Sequence, residues 1–211
     1  MKRMIGWALV AVAGVAVATS CTKDPMNNLS GEESRIYITN RDSTVNFNNY
    51  KTYSISDSVF VIDNNQPAGP QATTADLQLL AAIRAGLESR GYTRVSHTQT
   101  PDLGVNVSRL YNTTTSLYQY DYWDSYGSYY DPYYWGYGGY GYGYPSAYGL
   151  VQSTEAMISV DLLDLKNAPT NQNIRVIWNG LIRGSGIFSG DATTTGVQAL
   201  FAQSSYLQAN P

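Results

Sequence analysis

Apolar residues recur with a helical period in two segments of the chain. The stronger pattern covers residues 76–90, where the apolar side chains that share one helix face are Leu77, Leu80, Ile83 and Leu87. Thr73 and Asp76 have the spacing of a capping box, and Gly91 follows where a left-handed C-terminal cap is expected. A second amphipathic helix is predicted over 197–207, from Val197, Leu200, Phe201 and Leu207.

Runs rich in β-branched and aromatic residues predict strands through much of the remaining chain. These runs are 36–38, one strand within 50–62, 92–96, 103–111, 156–163 and 174–182. The turn formers Pro67, Gly69 and Pro70 predict the end of the second run. The last two runs predict an antiparallel hairpin, with one face formed by Ile158, Val160 and Leu162 and the matching face by Ile174, Val176 and Trp178. We therefore predict a single α+β domain over 36–211, with a largely antiparallel sheet and about two helices.

Residues 118–149 form an insert of low complexity. The insert holds 13 of the 19 tyrosines, seven of the 19 glycines and two of the four tryptophans. It has neither a helical nor a strand period, which predicts a long loop outside the core. Three interpretations remain open: a mobile loop without a ligand, a protein-binding surface, and a sugar- or peptidoglycan-binding surface. The aromatic residues that we select as ligand contacts for the last interpretation are Trp123, Tyr133, Tyr134 and Trp135.

The N-terminus has the pattern of an export signal. Lys2 and Arg3 precede an uncharged apolar run over 4–18, and small residues then lead into Cys21, the single cysteine. This order resembles the lipobox of bacterial lipoproteins. The resemblance implies cleavage of residues 1–20, attachment of diacylglycerol and a further acyl chain such as palmitate at Cys21, and a membrane anchor that does not span the bilayer.

The residues after the lipidation site bear on the location of the protein. Residues 21–35 are polar and rich in turn formers, which predicts a flexible tether between the lipid and the domain. In Gram-negative lipoproteins, aspartate directly after the cysteine favours retention in the inner membrane. Thr22 stands there in this chain, so we expect an outer-membrane location, with the domain facing either the periplasm or the cell surface.

Charge argues against binding to nucleic acid. Removing residues 1–20 removes two of 13 basic residues and none of 16 acidic residues, which leaves 11 minus 16, or a net charge of −5. No basic residue lies between Arg109 and Lys166, so the aromatic insert lacks the phosphate contacts of a nucleic-acid platform. The expected partners are the membrane, through the lipid, and an envelope protein or glycan.

The residue types needed for catalysis or cofactor binding are scarce. His97 is the only histidine and is expected in an exposed loop, while Asp161 and Asp164 are expected as solvated carboxylates at a strand end. The glycines of GYGGYG match a dinucleotide fingerprint, yet they lie between no predicted strand and helix. We therefore assign no catalytic, cofactor or metal residue. Ser43 and Ser58 lie in Asp-Ser-Thr and Asp-Ser-Val triplets that resemble the O-glycosylation signal of Bacteroidetes.

Five segments in order resemble the DUF4136 family of bacterial lipoproteins. They are FNNYKTYSI, LESRGYTRV, PDLGVNVS, ISVDLLD and RVIWNGLIRG, and the resemblance extends over 45–211. It implies an α+β fold and an envelope location, and it supplies no active-site residues. The leading hypothesis is a non-enzymatic outer-membrane lipoprotein with a structural or interaction role. The alternative is a carbohydrate- or peptidoglycan-binding module that uses the aromatic insert.

Overall fold

The computed structural model describes residues 30–64, 66–111, 132–143 and 156–210. Within these ranges it contains nine strands and three helices. The strands are β1 (Ile36–Arg41), β2 (Thr52–Ile55), β3 (Val59–Asp63), β4 (Gln66–Gln71), β5 (Thr93–Arg94), β6 (Leu103–Tyr111), β7 (Gly141–Gly143), β8 (Met157–Asp164) and β9 (Asn173–Arg183). The helices are α1 (Thr74–Ser89), α2 (Ala168–Asn171) and α3 (Gly190–Gln203).

The nine described strands form one mixed sheet with an antiparallel centre. The order β1-β9-β8-β6 is antiparallel throughout, and it contains the predicted β8–β9 hairpin. Strands β2 and β3 pair in parallel with successive parts of the other edge of β6, and β5 and β4 extend the sheet beyond them. Strand β7 pairs in parallel with the beginning of β9. The predicted α+β class is confirmed.

Helix α1 has both of its predicted caps. The Thr73 hydroxyl accepts a hydrogen bond from the Asp76 backbone N–H, and Gly91 has a φ of 86°. Its buried apolar residues are Leu79, Leu80, Ile83 and Leu87. Leu77, which we expected in this face, is 49% exposed.

A buried ion pair explains how the face of α1 is turned. The Asp76 side chain is fully buried, and one carboxylate oxygen lies 2.7 Å from Nε of Arg109 on β6. Successive residues of a helix are rotated by about 100° around its axis. Asp76 therefore lies on the same side of the helix as Leu80, Ile83 and Leu87, and Leu77 lies to one side of this buried face. The ion pair therefore shifts the buried face from the one predicted by apolar residues alone.

The last helix begins earlier than predicted and is capped by α1. It extends from Gly190 to Gln203, and Leu207 is buried beyond its end. The Arg90 guanidinium donates to the carbonyl oxygens of Phe201 and Ser204, at 2.7 and 3.1 Å. These carbonyl groups also accept the backbone N–H groups of Ser204 and Leu207, so Arg90 adds a second donor to each and joins the two helices on one face of the sheet.

Residues 50–71 differ from the predicted single strand. Ile55 is opposite Val105 and Phe60 is opposite Ser108, so five steps along the chain match three on β6, and the excess separates β2 from β3. The residues expected to end this region, Pro67, Gly69 and Pro70, instead lie in β4. Strand β4 pairs only with β3 among the described strands, and an edge strand tolerates proline because one side needs no N–H donor.

A β-bulge makes the predicted face of β9 wrong. The expected face comprised Ile174, Val176 and Trp178. Leu162 is opposite Trp178 while Leu163 is opposite Val176, which leaves Ile177 as an extra residue. As a result, Trp178 packs in the core beneath the helices and Val176 packs in a second apolar cluster.

Part of the aromatic insert belongs to this second cluster, contrary to the prediction of a loop outside the core. The cluster consists of Trp135, Tyr142, Leu163, Leu165, Ala168, Ile174 and Val176. Residues 132–135 form a 3-10 turn, and 141–143 form β7. Residues 118–131 and 144–149 of the insert lie outside the described residues. The connection between β8 and β9 contains the short helix α2.

Candidate functional site

The exposed face of the insert is held to the sheet by Trp135. A Cβ atom at Gly104 of β6 would lie 3.1 Å from the Trp135 ring and 3.1 Å from Leu165, so glycine provides the space for the indole. The Tyr137 hydroxyl donates to the carbonyl oxygen of Leu165 at 3.0 Å. These contacts fix the 3-10 turn against the end of β8.

Three rings form an aromatic platform, which we define as His97, Tyr133 and Tyr134. The rings of His97 and Tyr134 are stacked, with centroids 4.6 Å apart and planes at 22°. Tyr134 also meets the Trp135 ring edge-on at 4.8 Å, whereas Tyr133 is 74% exposed. Burial raises the pKa of Tyr134 and the Asp57 carboxylate raises it further, so the Tyr134 hydroxyl is protonated at neutral pH.

Two clefts flank the platform. A cleft of about 430 Å³ lies beside β5, with polar groups from Asp57, Arg94, Ser96 and Gln99. A second cleft, of about 380 Å³, is lined by Thr98, Thr100, Tyr133, Gly136 and Tyr137. Ring faces stack on the apolar faces of sugars, and hydroxyl, amide and guanidinium groups reach sugar hydroxyls. The platform and its clefts therefore place aromatic ring faces beside hydroxyl, amide and guanidinium groups.

The four predicted ligand contacts have different outcomes. Tyr133 and Tyr134 lie together on the platform, next to His97. Trp135 is only 5% exposed and anchors the turn, and it also borders the second cleft, so its contact with a ligand stays a prediction. Trp123 lies outside the described residues, as does Cys21. Sequence reasoning missed His97 as a platform residue because the stacking partner is 37 positions away along the chain.

The two serines considered for O-glycosylation lie in different surroundings. Ser43 is exposed, and the preceding Asp42 is buried in an ion pair with Arg175. Ser58 is half-buried, with its hydroxyl 3.2 Å from that of Ser56. Modification at either serine stays a prediction.

Asp161 and Asp164 are buried, which corrects the prediction of solvated carboxylates. Each is 2% exposed. Asp161 belongs to a row of directly opposed polar residues across four neighbouring strands: Asn106, Asp161, Asn179 and Asn40. Asn179 donates to the Asp161 carboxylate at 2.6 Å. Burial raises the pKa of Asp161 to about 7, although this hydrogen bond acts in the opposite direction.

The described residues contain neither a cluster of metal ligands nor a bilayer-spanning helix. Across residues 30–64, 66–111, 132–143 and 156–210, no three side chains of His, Cys, Asp or Glu come together as metal ligands would. Within the same ranges, none of the helices combines the length and apolar character needed to cross a bilayer.

The fold is that of an α+β domain with its two long helices, α1 and α3, on one face of a mixed sheet. By family, the chain belongs to DUF4136, a domain of unknown function, whose family model matches residues 38–204. The resemblance found in the sequence is thereby confirmed.

One of the similar solved structures is a protein of the same family. The crystal structure of a DUF4136 family protein from Bacteroides thetaiotaomicron is similar, with 27% identity and a TM-score of 0.69, over 83% of this chain and 98% of the other. Weaker similarity is found to the PelC dodecamer from Paraburkholderia phytofirmans, at 10% identity and a TM-score of 0.41 over 84% and 99% of the two chains. A PDZ domain protein from Parabacteroides distasonis has 15% identity and a TM-score of 0.41 over 84% and 37%. No curated protein matches the chain.

Proposed function

We propose that this chain is a lipid-anchored protein of the outer membrane, whose domain has a non-enzymatic structural or interaction role in the cell envelope. The observation that carries the proposal is the position of Cys21, the single cysteine, directly after an uncharged apolar leader and small residues. Two or more acyl chains at that residue give stable anchoring without a spanning helix. The polar residues 22–35 then separate the lipid from the domain.

The anchoring test is a Cys21→Ala variant expressed in a Gram-negative host. Metabolic labelling with a palmitate analogue is expected to label the parent and to leave the variant unlabelled, because the thiol is the site of diacylglycerol attachment. Ser20→Ala is the matched control, since a small residue before the cysteine is retained. Label on the Cys21→Ala variant at the parent level would refute the proposal.

The non-enzymatic role is supported by how the reactive groups near the platform are used. His97 is stacked on Tyr134. Asp57, the carboxylate that lines the cleft beside β5, is paired with Arg84 at 2.7 Å and Arg94 at 3.1 Å. These contacts support roles in positioning and charge pairing, and they favour binding over acid–base chemistry.

A second candidate function is binding of an envelope glycan at the aromatic platform. The observation that favours it is the exposure of Tyr133 beside two polar clefts, on a turn that is anchored by a buried tryptophan. Loss of a stacked aromatic ring is expected to weaken glycan binding by about tenfold, which corresponds to about 1.4 kcal/mol.

The glycan test compares Tyr133→Ala with Leu77→Ala in binding to soluble peptidoglycan fragments and to a glycan array. Leu77 is an exposed apolar residue on α1 that lines neither cleft. Binding that is lost in the tyrosine variant alone supports the platform. Absence of binding by the parent, or equal binding by both variants, rejects it.

A further inference from the structure

A third cleft, distinct from the two beside the platform, lies at the end of β8, between the loop after β1 and the connection from β8 to β9. Its volume is about 490 Å³, and it shares no lining residue with the two platform clefts. We call it the asparagine cleft, after its amide-rich wall. The residues that matter for its chemistry are Asn46, Asn49, Asp164, Lys166, Asn171 and Arg175.

The carboxylate at the floor of the asparagine cleft is fully used by the protein. Asp164 accepts hydrogen bonds from the backbone N–H of Asn167 at 3.1 Å and from its amide Nδ2 at 2.8 Å. The Asn167 amide also donates to the Tyr50 hydroxyl at 3.3 Å. Burial, followed by the charge of Asp164, raises the pKa of Tyr50. Asp164 is 2% exposed, so its negative charge lies below the cleft surface.

The carboxylate that pairs with Arg175 is likewise turned toward the protein. Asp42 is 7% exposed and accepts hydrogen bonds from the backbone N–H and the hydroxyl of Thr44, at 2.9 and 2.6 Å. Its other oxygen binds one terminal nitrogen, Nη2, of Arg175. A ligand in the asparagine cleft therefore meets the guanidinium and not the Asp42 carboxylate.

The charged groups that reach the surface of the cleft are both positive. The side chains of Lys166 and Arg175 are 45% and 41% exposed. Lys166 donates to the carbonyl oxygen of Asn49 at 2.6 Å, and its Nζ lies 3.8 Å from Asp102. Lysine has three N–H donors and arginine has five, so both retain donors beyond these contacts. Within the described part of the chain, Asp42 is the only hydrogen-bond partner of the Arg175 side chain.

We propose that the asparagine cleft binds an anionic oxygen group, a carboxylate or a phosphate, carried by a small polar molecule. The Arg175 guanidinium and the Lys166 ammonium group supply charge-assisted hydrogen bonds to the anion. The side-chain amides of Asn49 and Asn171 line the cleft, and they bind the polar remainder of the molecule. The carboxylates of Asp42 and Asp164 already accept hydrogen bonds from protein donors. The accessible surface of the cleft therefore has more hydrogen-bond donors than acceptors.

The test is a titration of the purified protein, followed by amide NMR shifts, with inorganic phosphate, glucuronate and neutral glucose as separate probes. Saturable shifts at Asn167 and Asn171 are expected with phosphate, glucuronate or both, and the probe that binds more tightly identifies the anionic group. Lys166→Gln is expected to weaken binding by about tenfold, the size of one charge-assisted hydrogen bond. Lys51→Gln removes an exposed lysine outside the cleft and is expected to bind like the parent.

A second variant separates binding from folding. Arg175→Lys keeps a positive charge beside Asp42 but removes the planar fork, and it is expected to weaken anion binding while the NMR spectrum stays that of a folded protein. The proposal is overturned if neither anion gives saturable shifts, if glucose binds as tightly as the anions, or if Lys166→Gln binds like Lys51→Gln.

Discussion

Asp161 offers a stability test whose sign and size follow from the structure. Its carboxylate is 2% exposed in the centre of the sheet, and burial raises its pKa to about 7 from an ordinary value of 3.8. Replacing it by asparagine keeps the size and the acceptor for Asn179 and removes the charge. The amide also provides a donor for Oδ1 of Asn106, which lies directly opposite and has no hydrogen-bond partner among the described residues.

The raised pKa fixes the direction of the pH dependence. The folded protein retains a proton on Asp161 between pH 4 and 7, where the unfolded chain has released it. The free energy of unfolding therefore decreases as pH rises through this window, by about 1.4 kcal/mol per unit and ~4 kcal/mol in total. Asp161→Asn should be as stable as the parent near pH 4 and more stable by up to ~4 kcal/mol at pH 8.

Urea unfolding followed by tryptophan fluorescence, at pH values from 4 to 9, measures this difference directly. Subtracting the parent's free energy of unfolding from the variant's cancels the contributions of groups that both proteins share. One such group is Asp42: burial raises the pKa of its carboxyl group, but hydrogen bonds from Thr44 and the charge of Arg175 lower it by more. Asp191→Asn, at an exposed carboxylate on α3, is the matched control and should show no such trend. A stability difference for Asp161→Asn that stays constant with pH would refute the reasoning.

Two further substitutions test the packing. Arg109→Met should lower the free energy of unfolding by about 3–5 kcal/mol, because it leaves the buried Asp76 carboxylate without its cation; the combined Arg109→Met and Asp76→Asn variant should regain part of the loss in urea unfolding. Trp135→Ala should cost ~3–5 kcal/mol, since the indole fills the second cluster, whereas Tyr133→Ala should change stability by less than about 0.5 kcal/mol. A Trp135→Ala variant that unfolds at the parent midpoint would restore the interpretation of the insert as a loop outside the core.

Local signals in the sequence predicted the elements whose determinants are close along the chain. The capping box of Thr73 and Asp76, together with Gly91, located helix α1 within two residues at each end. Strand β6 has the predicted bounds, 103–111, and the β8–β9 hairpin is antiparallel as predicted. In each case the backbone preference and the side-chain pattern agree over a short segment, so no distant contact is needed to decide the structure.

The errors arise where a distant contact decides. Nothing near Leu77 indicates that Arg109 turns α1 by pairing with Asp76, and nothing near Ile177 indicates a bulge opposite β8. The local composition of the insert predicts a loop outside the core. The structure differs because Gly104, far away on β6, provides the space that buries Trp135. The platform depends on the same long-range placement, so composition could suggest Tyr133 and Tyr134 but not His97, which stacks on Tyr134.

The two faces of the sheet make different contributions to the domain. The face beneath α1 and α3 holds the larger apolar cluster, which provides most of the hydrophobic stabilisation. The opposite face carries the polar row across β6, β8, β9 and β1, where burial of the Asp161 carboxylate opposes folding at neutral pH. Since the larger core lies on the helix side, exposed platform residues such as Tyr133 can change without loss of the fold. Their substitutions therefore report on binding, and substitutions in the polar row report on the stability of the sheet itself.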